Sequence, residues 1–481
     1  MIPHRLAILI VLSGAAAPSI AQPTPDPGKD FGEFRTEWNT WVDSVPSSER
    51  ISDAIQVTLE AFSHERFLEI SKRTKHFPSG TLHDARPWNE YWQDAIILHE
   101  EFADELETFH ELAQRPHLGA AIESPETLAP IDQFSNRATD HISPLRHAAV
   151  YLISSAMFQA TIGNTDAAVD RFQSASNLAN HALELTDAIT WLSQLAMRDF
   201  IAESILELVS YDPDLFSDTQ LAKLQSIVLE QLNDDPARVF RAEHAITVWQ
   251  LRAQFASDDP QSIAREYREQ AQSIHQSFTS PHTINQSPSD LDDRTPLAPI
   301  GDQIRIHAEL TNAICADLDS DPASTGALRL SNAIASNLAP DTIAAYIPVY
   351  TLTYIWRVQI GLAFKSHYNT INTTAALAIY RHRARHGSFP ESLQALDPES
   401  LPIPPIDLYS GEPLRYTLVN GKPRLWALGA DRDDDGGARP TSHDTSHLLS
   451  PKIDTWLSLD EWEELTEDER QLLNADIRIL D

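Results

Sequence analysis

Three aspartates at alternate positions, Asp431, Asp433 and Asp435, precede Gly436 in the sequence D-x-D-x-D-G. Alternating carboxylates closed by a glycine turn form the first half of a loop that wraps a hard cation, usually calcium, in oxygen ligands. The second half differs. Such a loop carries a bidentate glutamate at its twelfth position, where this chain has Ser442, with Asp444 two residues further on. A calcium loop and a solvated acidic turn both remain open on these residues. Two histidine pairs, His382 with His386 and His443 with His447, have the spacing of one helical turn. Such pairs can share a metal, but neither brings a third ligand, so surface histidines are the plainer account.

Other catalytic patterns fail. His-Glu dipeptides begin at His64, His99 and His110, but the residues four positions on are Leu68, Ala103 and Gln114, so the zinc motif H-E-x-x-H does not occur. No G-x-S-x-G nucleophile elbow or phosphate-cradling glycine loop is present. Paired carboxylates for glycoside hydrolysis meet in space rather than in sequence, and 70 acidic residues leave that chemistry open.

The elements around the aspartates form an ordered series. A helix over 374–386 carries Ala375, Leu377, Ala378 and Tyr380, and Gly387 suits its left-handed close. Residues 388–396 read as a bend into a second short helix, with Phe389 and Leu393 placed to pack back on the first. Prolines 398, 402, 404 and 405 hold the next segment extended. A turn over 407–413 leads to a strand over 414–418, and Asn420-Gly421 is a strong hairpin signal before a second strand over 424–428. Gly429 opens the acidic loop.

This order resembles the C-terminal domain of the major, G-type pseudopilin of type II secretion systems. "YRHRARHGSFPESLQAL" is similar to the tyrosine–glycine–tyrosine–proline end of that family's long helix, with Phe389 in the second aromatic place. "DLYSGEPLRY" is similar to its aspartate–proline–tryptophan–glycine–proline–tyrosine turn and strand, and "LWALGADRDDDGG" to its final strand and calcium-binding loop. The resemblance covers residues 371–437, about one-seventh of the chain. It implies a small α+β module and a calcium site at the Leu428 carbonyl, Asp431 and Asp435, with Asp433 next. The family's basic leader, glycine cleavage point and phenylalanine and glutamate at the first and fifth mature positions have no counterpart here. Assembly into a pseudopilus by the family's route is therefore not expected, and the resemblance implies a fold more firmly than a role.

The rest of the chain reads as a helical body. Arg5, an apolar run over 6–12 and Ser19-Ile20-Ala21 before Gln22 have the three regions of a cleavable export signal over 1–21. That places the protein in the periplasm or outside the cell, with no stable membrane span in the mature chain. A single cysteine, Cys315, makes an internal disulfide impossible and reads as a buried thiol. The formal net charge of −34 repels phosphate backbones, so nucleic acid is not an expected partner. The 42% hydrophobic content is ample for a core, and 15 glycines are too few for a chain of many tight β-turns.

Apolar residues recur three and four apart over 88–112, and Pro87, Pro116 and Pro144 are expected to divide the helical run. Residues 145–182 read as two helices about a Gly163-Asn164 turn. Ala168, Phe172 and Ala175 are spaced as in the second helix of a tetratricopeptide repeat, and Ala156 occupies the small position of the first. Leu152 and Gln159 stand at that repeat's aromatic positions and no second copy follows at a 34-residue period, so an ordinary αα-hairpin is the alternative. Further helices are expected over 188–209, 218–232, 242–256, 260–278, 301–337 and 341–364.

The expected fold is mainly α: a tether over 22–30, a helical domain over 31–278 with a tetratricopeptide-like hairpin, a linker over 279–300, and further helices over 301–360. A pseudopilin-like α+β domain over 361–450 and an acidic tail over 451–481, an amphipathic helix or a frayed terminus, complete it. The expected function is an exported, non-catalytic interaction scaffold for a protein partner of the cell envelope. The alternative is an exported hydrolase with a carboxylate site in the helices over 188–340.

Overall fold

The structure is a computed structural model. It describes residues 31–50, 51, 52, 54, 55 and 58, then 92–120, 132–185, 188–233, 235–255, 265, 298–320, 347–408, 410–428, 434 and 477–480. The tether, most of the linker and tail, and the helices expected over 260–278 (apart from Arg265) and 321–337 lie outside these residues.

The fold is mainly α with one small sheet. Helix α1 spans Phe31–Ser44, α2 Trp92–Glu101 and α3 Ala103–Leu112, the last two separated at Phe102, whose backbone leaves the helical region. Helix α4, Asp132–Thr161, passes through Pro144 without ending, against the expectation of a break there. A mid-helix proline costs about 3 kcal/mol through its missing N–H and its ring. Burial of Ile142, Leu145, Ala148 and Ala149 around it offsets that cost.

Helix α5, Thr165–Ala182, returns along α4. The turn between them is a Schellman motif. Gly163 takes φ +86, its N–H donates to Ala160 O at 3.0 Å, and Asn164 N donates to Gln159 O at 2.8 Å. Ala156, Ala168, Phe172 and Ala175 are all fully buried, as the hairpin reading requires.

Helix α6 spans Ala188–Tyr211, α7 Asp218–Leu229, α8 Pro236–Phe255 and α9 Ile300–Ser320. A capping box opens α7: Ser217 Oγ accepts from Gln220 N while Gln220 Oε1 accepts from Ser217 N. Helix α10 is a single 40-residue helix, Ile347–His386, where the sequence suggested two. The boundary expected at residue 360 falls inside it. Hydrogen bonds from Ser366 to Asp199 and from Tyr380 to Ser210 set α10 parallel to α6.

Strands β1, Arg415–Val419, and β2, Lys422–Ala427, form an antiparallel hairpin. Asn420 and Gly421 both have positive φ, 53° and 77°, the two-residue turn that matches strand twist. A third strand, β3, Ile477–Leu480, joins the other side of β2 from within the acidic tail, a strand where a helix or loose end was expected.

One apolar core unites α2 to α7 with the second half of α10 and with Phe389, Leu393, Leu396, Leu414, Leu425 and Ala427. The hairpin module and the helical body therefore share a core. A second cluster joins Trp191 and Leu195 of α6, Phe240 of α8, Ile314, Cys315 and Leu318 of α9, and Ile360 and Ala363 of α10. Cys315 is the expected buried thiol, its Sγ 3.4 Å from Ala237 O. Trp38 and Trp41 of α1 lie over Ile246 of α8 in a third, small cluster. Among the described residues, no helix is long and apolar enough to cross a membrane.

Candidate functional site

Of the four residues expected to hold a cation, Leu428 is described, and Asp431, Asp433 and Asp435 lie outside the described residues. The framework around them is in place. Leu428 follows β2 directly, is buried, and donates its N–H to Asp407 Oδ2 at 3.2 Å. Asp407 is itself only 1% exposed and organises its own turn: Ser410 Oγ donates to its carboxylate at 2.8 Å, and Gly411 N to its carbonyl at 2.8 Å. Asp434 accepts from the Trp426 indole N–H at 3.0 Å and lies 3.7 Å from the Arg415 guanidinium. Leu428 and Asp434, which flank the first two aspartates in sequence, are thus both held at one end of β2. Two fixed points limit the freedom that a loop must lose when it closes on an ion.

The segments that carried the resemblance converge on one another. Tyr416 of β1 donates its hydroxyl to Pro390 O at 2.8 Å, and burial pushes its pKa up to about 12. Phe389 meets Tyr380 edge-on at 5.7 Å between ring centroids, with the Arg383 guanidinium 4.8 Å from the Phe389 centroid. Gly387 ends α10 with φ +76, its N–H donating to Arg383 O.

The end of α10 is fastened to the body by a ladder of three arginines that sequence reasoning missed. Arg381 donates to Asp218 at 2.9 Å and to Gln225 at 2.8 Å, and Arg385 donates to Asp218, Asp397 and Ser400. Arg383 grips Asp214 through two nitrogens, at 3.0 and 2.8 Å. The hydrogen bond from Arg383 holds the Asp214 carboxyl below its ordinary pKa. At Asp218 burial opposes ionisation, but the hydrogen bonds from Arg385 and Arg381 prevail and its pKa is also lowered. Gln225 completes the junction by donating to Thr374 O and Ser400 O. The signal available beforehand was the R-H-R-A-R run at 381–385; its partners Asp214 and Asp218 lie far earlier in the chain.

The histidines fall into different settings. His382 and His386 stand 4.3 Å apart between ring centroids, and burial, then His386, lowers the pKa of His382. Among the described residues, no group of three or more histidine, cysteine, aspartate or glutamate side chains is placed to hold a metal. His443 and His447 lie outside them. His99 is buried against Phe158, with Nε2 3.2 Å from Ser154 Oγ, and burial lowers its pKa to about 4. His110 Nδ1 lies 2.7 Å from Ser174 Oγ. His244 of α8 and His307 of α9 stack at 4.9 Å with their Nδ1 atoms 2.6 Å apart, and burial lowers both pKa values.

One described carboxylate in the region expected for a hydrolytic site, Asp199, is shifted upward, opposite to Asp214 and Asp218. Burial raises the pKa of Asp199 on α6 to about 6, against the opposing effects of Ser366, Lys365, Asn369 and Arg198. A carboxyl that keeps its proton near pH 6 is suited to general acid work. Hydrolysis by paired carboxylates would also need a second such group on the far side of the bond.

Comparison of the chain with protein-family models, with curated proteins and with solved structures finds no match.

Proposed function

We propose that this protein is an exported, non-catalytic interaction scaffold. Its helical body, of tetratricopeptide-like character at α4–α5, carries a module resembling the G-type pseudopilin C-terminal domain, whose aspartate loop binds calcium and presents a surface to a protein partner of the cell envelope. Leu428, Asp431, Asp433 and Asp435 supply the ligands on this reading. The observation that carries it is the two-point hold, Asp407 on Leu428 and Trp426 on Asp434, from a sheet that shares the core of the body. A loop tethered in that way needs little ordering to accept a cation and passes the resulting stiffness to the sheet.

The test is calorimetric titration of calcium into the full chain, the right sample because α10 crosses residue 360 without a break. It is paired with a pull-down from an envelope fraction with and without calcium. Calcium binding that is lost in Asp431→Asn/Asp435→Asn, together with a calcium-dependent partner, supports the reading. No heat of binding refutes the calcium site, and no partner in either condition refutes the scaffold.

A second reading, an exported hydrolase, is favoured only by the raised pKa of Asp199. Hydrolysis of a glycoside panel that disappears in Asp199→Asn would carry it in place of the first.

A further inference from the structure

The turn that joins β1 to β2 is the only Asn-Gly step in the chain, and the fold leaves its reactive groups unprotected. Asn420 and Gly421 are both exposed. Among the described residues no hydrogen bond holds the Asn420 carboxamide and no carbonyl accepts the Gly421 N–H. Nothing lies within 4 Å of the position that a Cβ on Gly421 would take. Other described asparagines are placed differently. Asn164, Asn177 and Asn180 engage Gln159, Ala113 and Arg198 through their carboxamides, and Asn372 is buried. Asn39, Asn312 and Asn369 lie inside α1, α9 and α10, where the following backbone N–H is committed to the helix. The turn is also lightly closed. Opposed residues of an antiparallel pair alternate between bonded and unbonded, and the pair that flanks a two-residue turn is a bonded one. Val419 and Lys422 are that pair; Leu418 and Pro423 add no bond, since proline has no N–H, and Thr417 and Arg424 come next. Release of one pair therefore frees the Asn420 backbone to rotate.

From this geometry we propose that Asn420 is a self-modification site, where the asparagine converts to aspartate and isoaspartate with water as the only co-reactant. The Gly421 nitrogen loses its proton to solvent and attacks Asn420 Cγ, closing a cyclic imide. The Cγ–Nδ2 bond breaks, and Nδ2 takes up a proton from solvent and leaves as ammonia. Water then adds to one of the two imide carbonyls and breaks its bond to the Gly421 nitrogen. Cleavage at Cγ gives aspartate, and cleavage at the backbone carbonyl gives isoaspartate. The net change is one water taken up and one ammonia released. Glycine has no side chain to obstruct the attack by its own nitrogen. The two products differ in what they do to the hairpin. Asp-Gly suits the same turn as Asn-Gly. Isoaspartate instead runs the backbone through Cβ and lengthens a connection that has only two residues to close. It therefore costs the Val419–Lys422 pair and leaves Thr417–Arg424 as the last bonded one. Leu428 follows the opposite end of β2 and the step needs no cation, so its outcome is separate from that of the calcium reading.

The experiment holds the full chain at pH 6 and at pH 8 and follows its peptides by mass spectrometry. Asn420 is expected to be the first described asparagine to gain the mass of an amide-to-acid exchange. The gain should be several-fold faster at pH 8, because the attacking nitrogen must lose its proton. Part of the product should resist a protease that cleaves before aspartate, which marks isoaspartate. Amide hydrogen exchange then reads the turn. Val419 and Lys422 should lose protection in the isoaspartate fraction and keep it in Asn420→Asp. Asn420 unchanged over several weeks at pH 8, or reacting equally fast at the two pH values, overturns the site. Isoaspartate chains that keep Val419 and Lys422 protected overturn the effect assigned to the hairpin.

Discussion

Lowering the pH from 7 to 4 should remove stability through His99, and His99→Phe should abolish that part of the loss. His99 is 5% exposed, stacked on Phe158, and its folded pKa is about 4 against an ordinary value of 6.5. A depressed histidine pKa means that the stabilising contribution is whole above pH 6.5 and is lost as the pH falls from there to about 4. A tenfold change in proton affinity is worth about 1.36 kcal/mol, so the loss approaches about 3 kcal/mol, roughly a 150-fold change in the folding constant. Asp199 acts in the opposite sense. Its pKa is raised to about 6, so its stabilising contribution is present below the ordinary 3.8 and is lost as pH rises through 6. Some of its surface remains accessible, which makes its share the smaller of the two. His110, His244 and His307, with lowered pKa values, add to the loss in acid, so the variant must be compared with the parent at every pH. Urea unfolding followed by tryptophan fluorescence between pH 4 and 7.5, at constant ionic strength, gives the two curves. The variant should gain on the parent as the solution is acidified, since the phenylalanine has no proton to take up. Curves that stay parallel within about 0.5 kcal/mol would refute the assignment of the linkage to His99.

Other substitutions test the packing. Arg381→Met should cost about 2–3 kcal/mol in urea unfolding, because it leaves Asp218 and the buried Gln225 short of a charged donor, while Arg383→Ala on exposed Asp214 should change little. Gly163→Ala should cost about 1 kcal/mol from its φ of +86 alone, since open space surrounds the position; an unchanged midpoint would contradict that backbone assignment. Gln194→Leu should raise stability by about 1–2 kcal/mol, because the buried Gln194 amide has no hydrogen-bond partner at either atom among the described residues. A lower melting temperature in that variant would mean that the amide is satisfied.

What could be read beforehand follows from where the physics is local. The α4–α5 hairpin was legible because a small–aromatic–small spacing and a glycine turn are decided within a few residues. The Asn420-Gly421 hairpin and the Gly387 helix end were legible for the same reason. The continuity of α10 was not. Its middle buries Ser366, Thr370, Asn372, Thr373 and Thr374, so its polarity reads as surface although it is core. Local bonds make this tolerable, such as Thr370 Oγ1 donating to Ser366 O at 2.9 Å. Pro144 misled in the opposite direction: an intrinsic penalty was outweighed by packing that only the fold reveals. At the candidate site, Leu428 and the acidic run could be read directly. The roles of Asp407, Asp434 and the arginine ladder could not, because each depends on contacts made across the fold.

Helix α10 has a mechanical consequence. At 1.5 Å per residue its 40 residues make a rod about 60 Å long. Ile360 and Ala363 seat it in one cluster, Ala375 to Tyr380 seat it in the other, and its far end carries the arginine ladder. That ladder, Arg381 and Arg385 on Asp218 and Arg383 on Asp214, fixes the C-terminal end of the rod to the loop before α7 and its first turn.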